Sequence, residues 1–152
     1  MSDTSAFSQA FAEGIGSLQY EGQEVRPLLL LAVNENSKIR VHRVGARADR
    51  RQALKLAAVN GTLELEGISA EIISLWCDTS PETVELLVQG PQVRRVEVWN
   101  AWDLGGLETA WLGNAGIILE ATQKHLTLHC SDGIGPPSFS DLTVEISIAN
   151  PT

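Results

Sequence analysis

The sequence predicts an all-β protein, an antiparallel β-sandwich or barrel of jelly-roll-like character, with about ten strands and a short N-terminal helix. Short runs that alternate apolar and polar side chains recur along the 152 residues, and this two-residue period is typical of half-buried strands. Turn-forming pairs such as Asn60-Gly61 and Gly90-Pro91 separate the runs. The composition, 43% apolar and 20% charged, is that of an ordinary globular protein.

Residues 1–24 are predicted to form a helix and a loop, and residues 25–152 a single β domain, because a chain of this length is one domain on length alone. Thr4 or Ser5 is the expected N-cap of the helix, Phe7 and Phe11 share one face, and Gly14 ends it. A helix this short is marginal in isolation, so we expect it to dock on the β domain.

Two hairpins are expected in the first half of the β domain. The apolar run at residues 25–33 is a candidate central strand, and the alternating run at 38–44 follows it across an Asn-Glu-Asn-Ser turn. The runs at 53–59 and 62–66 flank Asn60-Gly61, a strong hairpin signal, because a type I′ turn needs positive φ at both central residues. A strand at 68–76 would extend this second pair into a meander.

Further strands are expected in the second half of the chain. Residues 83–88 alternate apolar and polar side chains, so a strand is favoured there over the helix that Ser80-Pro81 would start. The runs at 116–121 and 124–130 are expected to pair across a Thr-Gln turn. Residues 142–148 show the cleanest alternation in the chain and predict the last strand.

Residues 93–116 hold three of the four tryptophans. Val96 and Val98 predict a strand, with Trp99 on the face opposite Val98. A loop is expected over residues 100–106, followed by a strand over 107–112 and a turn at Gly113-Asn114. The three tryptophans would then lie on one loop and its two flanking strands.

Two interpretations of this tryptophan cluster remain open. Tryptophan is usually buried with its N–H bonded to a polar partner, which favours a plug in the core. The alternative is a stacking platform at a pocket mouth, where an apolar wall is combined with a few polar groups. In that case the candidate ligand-binding residues are Trp99, Asn100, Trp102, Asp103, Trp111 and Asn114.

Charge is unevenly distributed in this chain, whose net charge is −8. Residues 26–55 carry eight Lys or Arg against two acids, a local charge of +6. Nucleic-acid binding is not expected, because phosphate contacts need a positive field. Four arginines of this segment are expected either to pair with acids of the protein or to grip an anionic ligand: Arg43, Arg47, Arg50 and Arg51.

The two cysteines, Cys77 and Cys130, are expected to be reduced, buried thiols. The N-terminus lacks a basic region followed by a long apolar segment, so no signal peptide is expected. No apolar run is long enough to span a bilayer, which predicts no membrane partner. A cytoplasmic location is the resulting expectation.

No sequence motif indicates a metal site or a cofactor, and neither is expected. His125 and His129 share a predicted strand face but lie four residues apart, about 13 Å, which is too far for two ligands of one metal ion. Asp103, Asp132 and Asp141 all fall at predicted loops, so a calcium cage would form only if the fold brought their carboxylates together.

These features favour a non-enzymatic β-sandwich that binds a small molecule or carbohydrate through the Trp-rich segment 99–116, and this hypothesis predicts at least one exposed tryptophan. The first alternative is a small barrel enzyme that uses His42, His125 or His129 with a nearby acid in an interior cavity. The second is a structural homo-oligomer subunit, whose copies associate through segments of opposite charge.

Overall fold

Alternating apolar and polar side chains produce fourteen short strands in the computed structural model, which describes residues 6 to 151. One helix precedes them, as the sequence predicts. The helix is α1 (Phe7–Ala12), and the strands are β1 (Leu18–Tyr20), β2 (Gln23–Val25), β3 (Leu29–Ala32), β4 (Lys38–Ala46), β5 (Gln52–Val59), β6 (Thr62–Leu65), β7 (Ile68–Ala70), β8 (Ile72–Trp76), β9 (Thr83–Gln89), β10 (Arg95–Leu104), β11 (Leu107–Thr109), β12 (Gly116–Ala121), β13 (Leu126–Ser131) and β14 (Leu142–Ala149).

The strands form three antiparallel sheets. The seven-stranded sheet has the order β12-β13-β14-β4-β9-β6-β7. The five-stranded sheet has the order β11-β10-β5-β8. Strands β3 and β11 share one edge of β10: β3 pairs with its first half and β11 with its last three residues. Strands β1 and β2 form a ribbon, which joins the larger sheet through a bridge between Arg26 and Ile117 on β12.

The core lies between the two larger sheets. Leu54 and Val98 from the five-stranded sheet belong to the same buried cluster as Ile39, Leu128 and Ile146 from the seven-stranded sheet. Each of these side chains is at most 1% exposed, and burial of one such side chain stabilises the fold by about 1.5–3 kcal/mol. The fold is therefore all-β and sandwich-like, which confirms the predicted fold class.

Several predicted strands and pairings are confirmed. Residues 83–89 form strand β9 rather than a helix. Strands β12 and β13 pair in register across the turn that follows residue 121. Strand β14 buries Leu142, Val144 and Ile146 in alternation, as its sequence predicts.

The predicted hairpin between residues 25–33 and 38–44 is wrong. The apolar run is interrupted after Val25, and its second part, β3, pairs with β10. Strand β4 instead lies between β14 and β9 in the opposite sheet. The turn at residues 34–37 therefore carries the chain from one sheet to the other.

The Asn60-Gly61 turn also crosses between the sheets, so the predicted hairpin between β5 and β6 is wrong. Strand β5 pairs with β10 and β8, whereas β6 pairs with β7 and β9. Asn60 has a φ of 63°, but Gly61 does not have positive φ, and a type I′ turn requires both. Gly61 is required for space, because a Cβ there would lie 2.6 Å from the carbonyl oxygen of Gln89.

The predicted strand at 68–76 is divided at Glu71 into β7 and β8. Strand β7 pairs with β6 and so continues the meander, whereas β8 pairs with β5 in the other sheet. The carbonyl of Glu71 accepts a hydrogen bond from the backbone N–H of Ala58. The apolar run thus contributes one segment to each sheet.

Helix α1 docks on the sandwich as expected. Phe7 is buried and its ring lies 5.3 Å from Tyr20 and 6.3 Å from Phe139, measured between ring centroids. Gly14 follows the helix with a φ of 94°, which confirms it as the stop. Ala6 is the N-cap and makes no side-chain bond, while the predicted caps Thr4 and Ser5 lie outside the described residues. Between residues 6 and 151, no helix is long and apolar enough to cross a membrane.

Candidate functional site

The tryptophan-rich segment is not one loop. Strand β10 continues to Leu104, so the predicted loop over residues 100–106 is wrong, and only a tight turn at Gly105-Gly106 separates β10 from β11. Strand β11 ends at Thr109 rather than at residue 112. The extension has a tertiary cause, since β5 pairs with β10 as far as Trp102 and β11 pairs with its final residues.

Alternation along β10 separates two of the tryptophans. Trp102 points inward and is 1% exposed, and its N–H has no hydrogen-bond partner among the described residues. Packing holds this ring instead, since a Cβ on Gly133 would lie 2.7 Å from it. Trp99 points to the outer face of the five-stranded sheet but is only 8% exposed. Trp102 is therefore a core residue, as the first interpretation of the cluster predicts.

Trp111 is the exposed member of the cluster, with 44% of its surface accessible. Its ring stacks on Trp99 with the centroids 4.9 Å apart and an interplanar angle of 27°. Its indole N–H donates a 3.1 Å hydrogen bond to the carbonyl of Pro27. Its backbone is left-handed, with a φ of 58°, a conformation that costs an L-residue about 1–2 kcal/mol. The indole ring is thus held in one orientation at the surface.

Two different surfaces adjoin the stacked pair of Trp99 and Trp111. Trp111 borders an apolar groove of about 270 Å³, which is also lined by Phe11 of the helix and by Pro27 and Leu28. Trp99 has Lys55 as its cross-strand neighbour, and Lys55 forms an ion pair with Glu108. The stacked pair therefore has an apolar neighbourhood at Trp111 and a polar one at Trp99, and we call this region the Trp111 surface.

The polar candidates of the segment have structural partners. Asn100 is buried, and its side-chain N–H donates to the carbonyl of Ser131 at 3.0 Å. The Asn114 side chain accepts a hydrogen bond from the backbone N–H of Phe7 and donates to the carbonyl of Gly135. Asp103 is half-buried, and its backbone N–H donates to the backbone carbonyl of Arg51 at 3.0 Å. Of the six predicted residues, the fold thus brings Trp99 and Trp111 into contact. The side-chain amides of Asn100 and Asn114 form hydrogen bonds within the protein.

Three of the four arginines pair with acids of the chain, in agreement with the first of the two interpretations, whereas Arg43 donates to the carbonyl of Ser80 at 3.4 Å. Arg50 donates to Asp132 at 2.7 Å, Arg47 to Asp141 at 3.2 Å and Arg51 to Asp78 at 2.8 Å. Arg51 also lies over the ring of Trp76, 4.5 Å from its centroid. These acidic partners lie in loops far apart in the chain that the fold brings together, so no local signal in the sequence identifies them.

Asp132 and Asp141 are in contact, but they do not form the calcium site considered above. The backbone N–H of Asp132 donates to the Asp141 carboxylate at 2.9 Å, and Gln52 donates to Asp132. Burial opposes ionisation of Asp132, but hydrogen bonds from Arg50 and Gln52 outweigh it and lower its pKa. Burial and the nearby charge of Asp132 raise the pKa of Asp141. Within the described chain, no group of three or more His, Cys, Asp or Glu side chains could hold a metal ion.

All three histidines lie on the outer face of the seven-stranded sheet, where about a third or more of each side chain is exposed. His129 Nε2 lies 3.0 Å from the Glu120 carboxylate, and His125 Nε2 lies 3.5 Å from Glu145. The expected outward orientation is confirmed. The His129–Glu120 pair borders a groove of about 580 Å³, and its members lie on β12 and β13, the two strands that the sequence predicts to pair.

Cys77 and Cys130 are free thiols. Cys130 is fully buried, whereas Cys77 is only partly so, and burial raises the pKa of both thiols. Because the thiolate is the reactive form, neither side chain has the properties of a nucleophile.

Comparison with known proteins identifies no relative of this chain: no family model, curated protein or solved structure matches it.

Proposed function

We propose that this protein is a non-enzymatic binding module that takes a carbohydrate, or a small molecule of similar amphiphilic shape, on the Trp111 surface. The observation that carries the proposal is the fixed and exposed ring of Trp111. One face of the ring packs on Trp99, while 44% of the residue stays accessible. A bulky side chain held at the surface by a left-handed backbone is a costly arrangement, and such strain is concentrated at functional sites.

The chemistry of the surface suits a sugar. A pyranose ring has an apolar C–H face that stacks on an indole and hydroxyl groups at its edge that need polar partners. Trp111 supplies the apolar plane, and the Lys55–Glu108 ion pair beside Trp99 supplies both a donor and an acceptor. Because the ring is held before binding, little rotamer entropy is lost when the ligand docks.

The test is calorimetric titration with a panel of mono- and oligosaccharides, using the wild type and Trp111→Gly. The glycine variant accepts the left-handed backbone, so it removes the ring without straining the turn. We expect the variant to bind a responding sugar about tenfold more weakly. Ile68→Ala, which shortens an exposed apolar side chain on the other sheet, is the matched control and should bind as the wild type does. Sugar binding that survives in Trp111→Gly, or a panel without any ligand, would contradict the proposal.

A second candidate function is acid–base catalysis, which the 3.0 Å contact between His129 and Glu120 at the groove of about 580 Å³ favours. The guanidinium of Arg26 lines the same groove and bonds to Glu24. A screen of chromogenic esters and glycosides distinguishes the two candidates. An activity that disappears in His129→Gln and persists in Trp111→Gly would support catalysis, and no turnover by the wild type would exclude it for these substrate classes.

A further inference from the structure

The outer face of the seven-stranded sheet carries another groove, remote in sequence from the Trp111 surface. It has a volume of about 330 Å³ and lies between the β12–β13 turn and strands β14 and β4. We call it the basic groove. Its lining consists of Arg40, His42, Lys124, His125, Glu145 and Ser147.

Strand pairing brings these side chains together. In the register of β14 and β4, Ser147 lies opposite Arg40 and Glu145 lies opposite His42. The buried residues Ile39 and Val41 on β4, and Val144 and Ile146 on β14, alternate with them, so the four side chains project outward by the two-residue period. Lys124 and His125 reach the same groove from the turn after β12.

The basic groove has an excess of positive charge in a protein whose net charge is −8. Glu145 is the single carboxylate among the described residues that line it, and it lies 3.5 Å from His125. Neither Arg40 nor Lys124 has an ion-pair partner within 4.0 Å among residues 6 to 151, although Glu85 is opposite Arg40 on β9. Two permanent cations therefore share one concave surface, and neither is held in a direct ion pair among the described residues.

Two of the remaining lining groups, the His42 imidazole and the Ser147 hydroxyl, are able to donate a hydrogen bond to an oxyanion. His42 Nδ1 lies 2.7 Å from the hydroxyl oxygen of Thr83, and its Nε2 lies 4.0 Å from the Glu82 carboxylate. The Ser147 hydroxyl lies beside Arg40 in the register. Charge-assisted hydrogen bonds from such groups are the strong ones in anion recognition.

We propose that the basic groove binds the phosphate group of a small soluble phosphomonoester, with Arg40 and Lys124 as its cationic contacts. The guanidinium offers a planar set of donors that matches phosphate geometry, and the ammonium acts as a point charge. A free small molecule is favoured over a polyanion or an anionic membrane, because the protein as a whole is acidic and repels extended negative surfaces. The groove is also small, at about 330 Å³.

The experiment is a titration of ¹⁵N-labelled protein with inorganic phosphate and with glucose 6-phosphate, followed by amide chemical shifts. We expect saturable shifts at residues 124, 125 and 147. Arg40→Gln and Lys124→Gln should each weaken binding about tenfold, since each removes one charge-assisted contact. Arg95→Gln is the matched control, because it removes one exposed positive charge from the other sheet and should leave the affinity unchanged.

Three outcomes would overturn the proposal. The first is the absence of saturable shifts at the groove, and the second is an affinity that falls equally in the Arg95→Gln control. The third comes from sedimentation with vesicles of phosphatidylglycerol and phosphatidylcholine: protein that binds these vesicles but neither free phosphate nor glucose 6-phosphate would recognise a membrane surface instead.

Discussion

Trp111 combines a bulky side chain with a left-handed backbone, and its neighbours explain why the conformation persists. Gly113 has a φ of 54°, and a Cβ there would lie 2.1 Å from the carbonyl oxygen of Gly133. This close approach fixes the path of the turn after residue 110. The stack on Trp99 and the bond to Pro27 then offset the strain at Trp111.

The strain at Trp111 predicts that two truncations of this side chain differ in stability. Trp111→Ala and Trp111→Gly both lose the stack and the hydrogen bond, but only glycine adopts a φ of 58° without steric cost. We expect the glycine variant to be more stable than the alanine variant by about 1 kcal/mol. Urea unfolding of both variants with equal m-values measures the difference, and equal midpoints would show that the backbone at 111 relaxes.

Trp102 shows that one residue type has two roles in the same segment. It is 1% exposed, so Trp102→Ala would open a cavity that costs about 3–5 kcal/mol. Trp111 lies nine positions further along the chain and is accessible to a ligand. Binding experiments on the tryptophan cluster therefore require substitution of Trp111 and leave Trp102 intact.

At the scale of the element, the connections that cross between the sheets organise the sandwich. The first, at residues 34–37, depends on buried Ser37, whose hydroxyl donates to Asn150 and accepts from the backbone N–H of Asn34. The second, at Asn60-Gly61, depends on the absence of a side chain at Gly61, where Gln89 and Val93 approach closely. At each crossing, the two strands that a hairpin would have paired with each other pair instead with strands elsewhere in the chain.

The crossing at Gly61 predicts a large effect of a single methyl group. In Gly61→Ala the new Cβ would lie 2.6 Å from a backbone oxygen and 2.9 Å from the Val93 Cβ, so the turn or β9 must move. We expect a loss of stability of about 1–3 kcal/mol, the usual cost of overpacking. Thermal unfolding monitored by circular dichroism measures it.

Gly45→Ala is the matched control for this substitution. Gly45 lies on β4, has no positive φ, and nothing lies within 4 Å of its ideal Cβ position. Alanine should therefore be tolerated there, with unchanged or slightly raised stability. Equal effects of the two substitutions would show that the contact with Gln89 does not determine the crossing.

At the scale of the whole molecule, the uneven charge of the sequence becomes a set of ion pairs at one end of the sandwich. The arginine-rich segment connects β4 in the seven-stranded sheet to β5 in the five-stranded sheet. Its arginines contact Asp132 and Asp141, which precede β14, and Asp78, which follows β8. The basic segment thus links both sheets electrostatically.

The Arg50–Asp132 pair predicts how stability depends on pH. Because the pKa of Asp132 is lowered in the folded state, its contribution to stability is present above the unfolded value of 3.8 and is lost as the pH falls below it. Asp141 has a raised pKa and acts in the opposite sense, since its ionisation destabilises the fold as the pH rises. We expect Asp132→Asn to lower the free energy of unfolding by about 3 kcal/mol at pH 7, because Arg50 loses its buried partner.

Urea unfolding at pH 7 and at pH 3 tests this prediction. The difference between wild type and Asp132→Asn should shrink at the lower pH, because below pH 3.8 this carboxyl binds protons more readily in the unfolded chain than in the folded protein. The matched control is Asp49→Asn, which removes the exposed partner of Arg47, a carboxyl whose pKa is about 2. It should change stability much less at pH 7, because solvent screens an exposed pair, and a difference for Asp132→Asn that does not vary with pH would contradict the assignment.

The sequence by itself determined the all-β class, the outward histidines and most of the strands. These features depend on alternation, which relates residues two positions apart and can be read locally, as in β9 and β14. The stop at Gly14 and the pairing of β12 with β13 are local for the same reason. Of the candidate site, the sequence left open whether the tryptophans form the core or a binding surface, and the binding hypothesis predicted at least one exposed ring without identifying which of the three it is.

Only the tertiary structure decided which strands pair and where each tryptophan lies. Strand β10 extends through residues predicted as loop because its backbone pairs with β5, which is distant in sequence, and with β11, which follows across a tight turn. The turn at Asn60-Gly61 crosses between sheets because Gln89 and Val93 occupy the space around it. Such choices depend on the free energy of contacts between residues far apart in the chain, which no local window contains, and they separate Trp102 in the core from Trp111 at the surface.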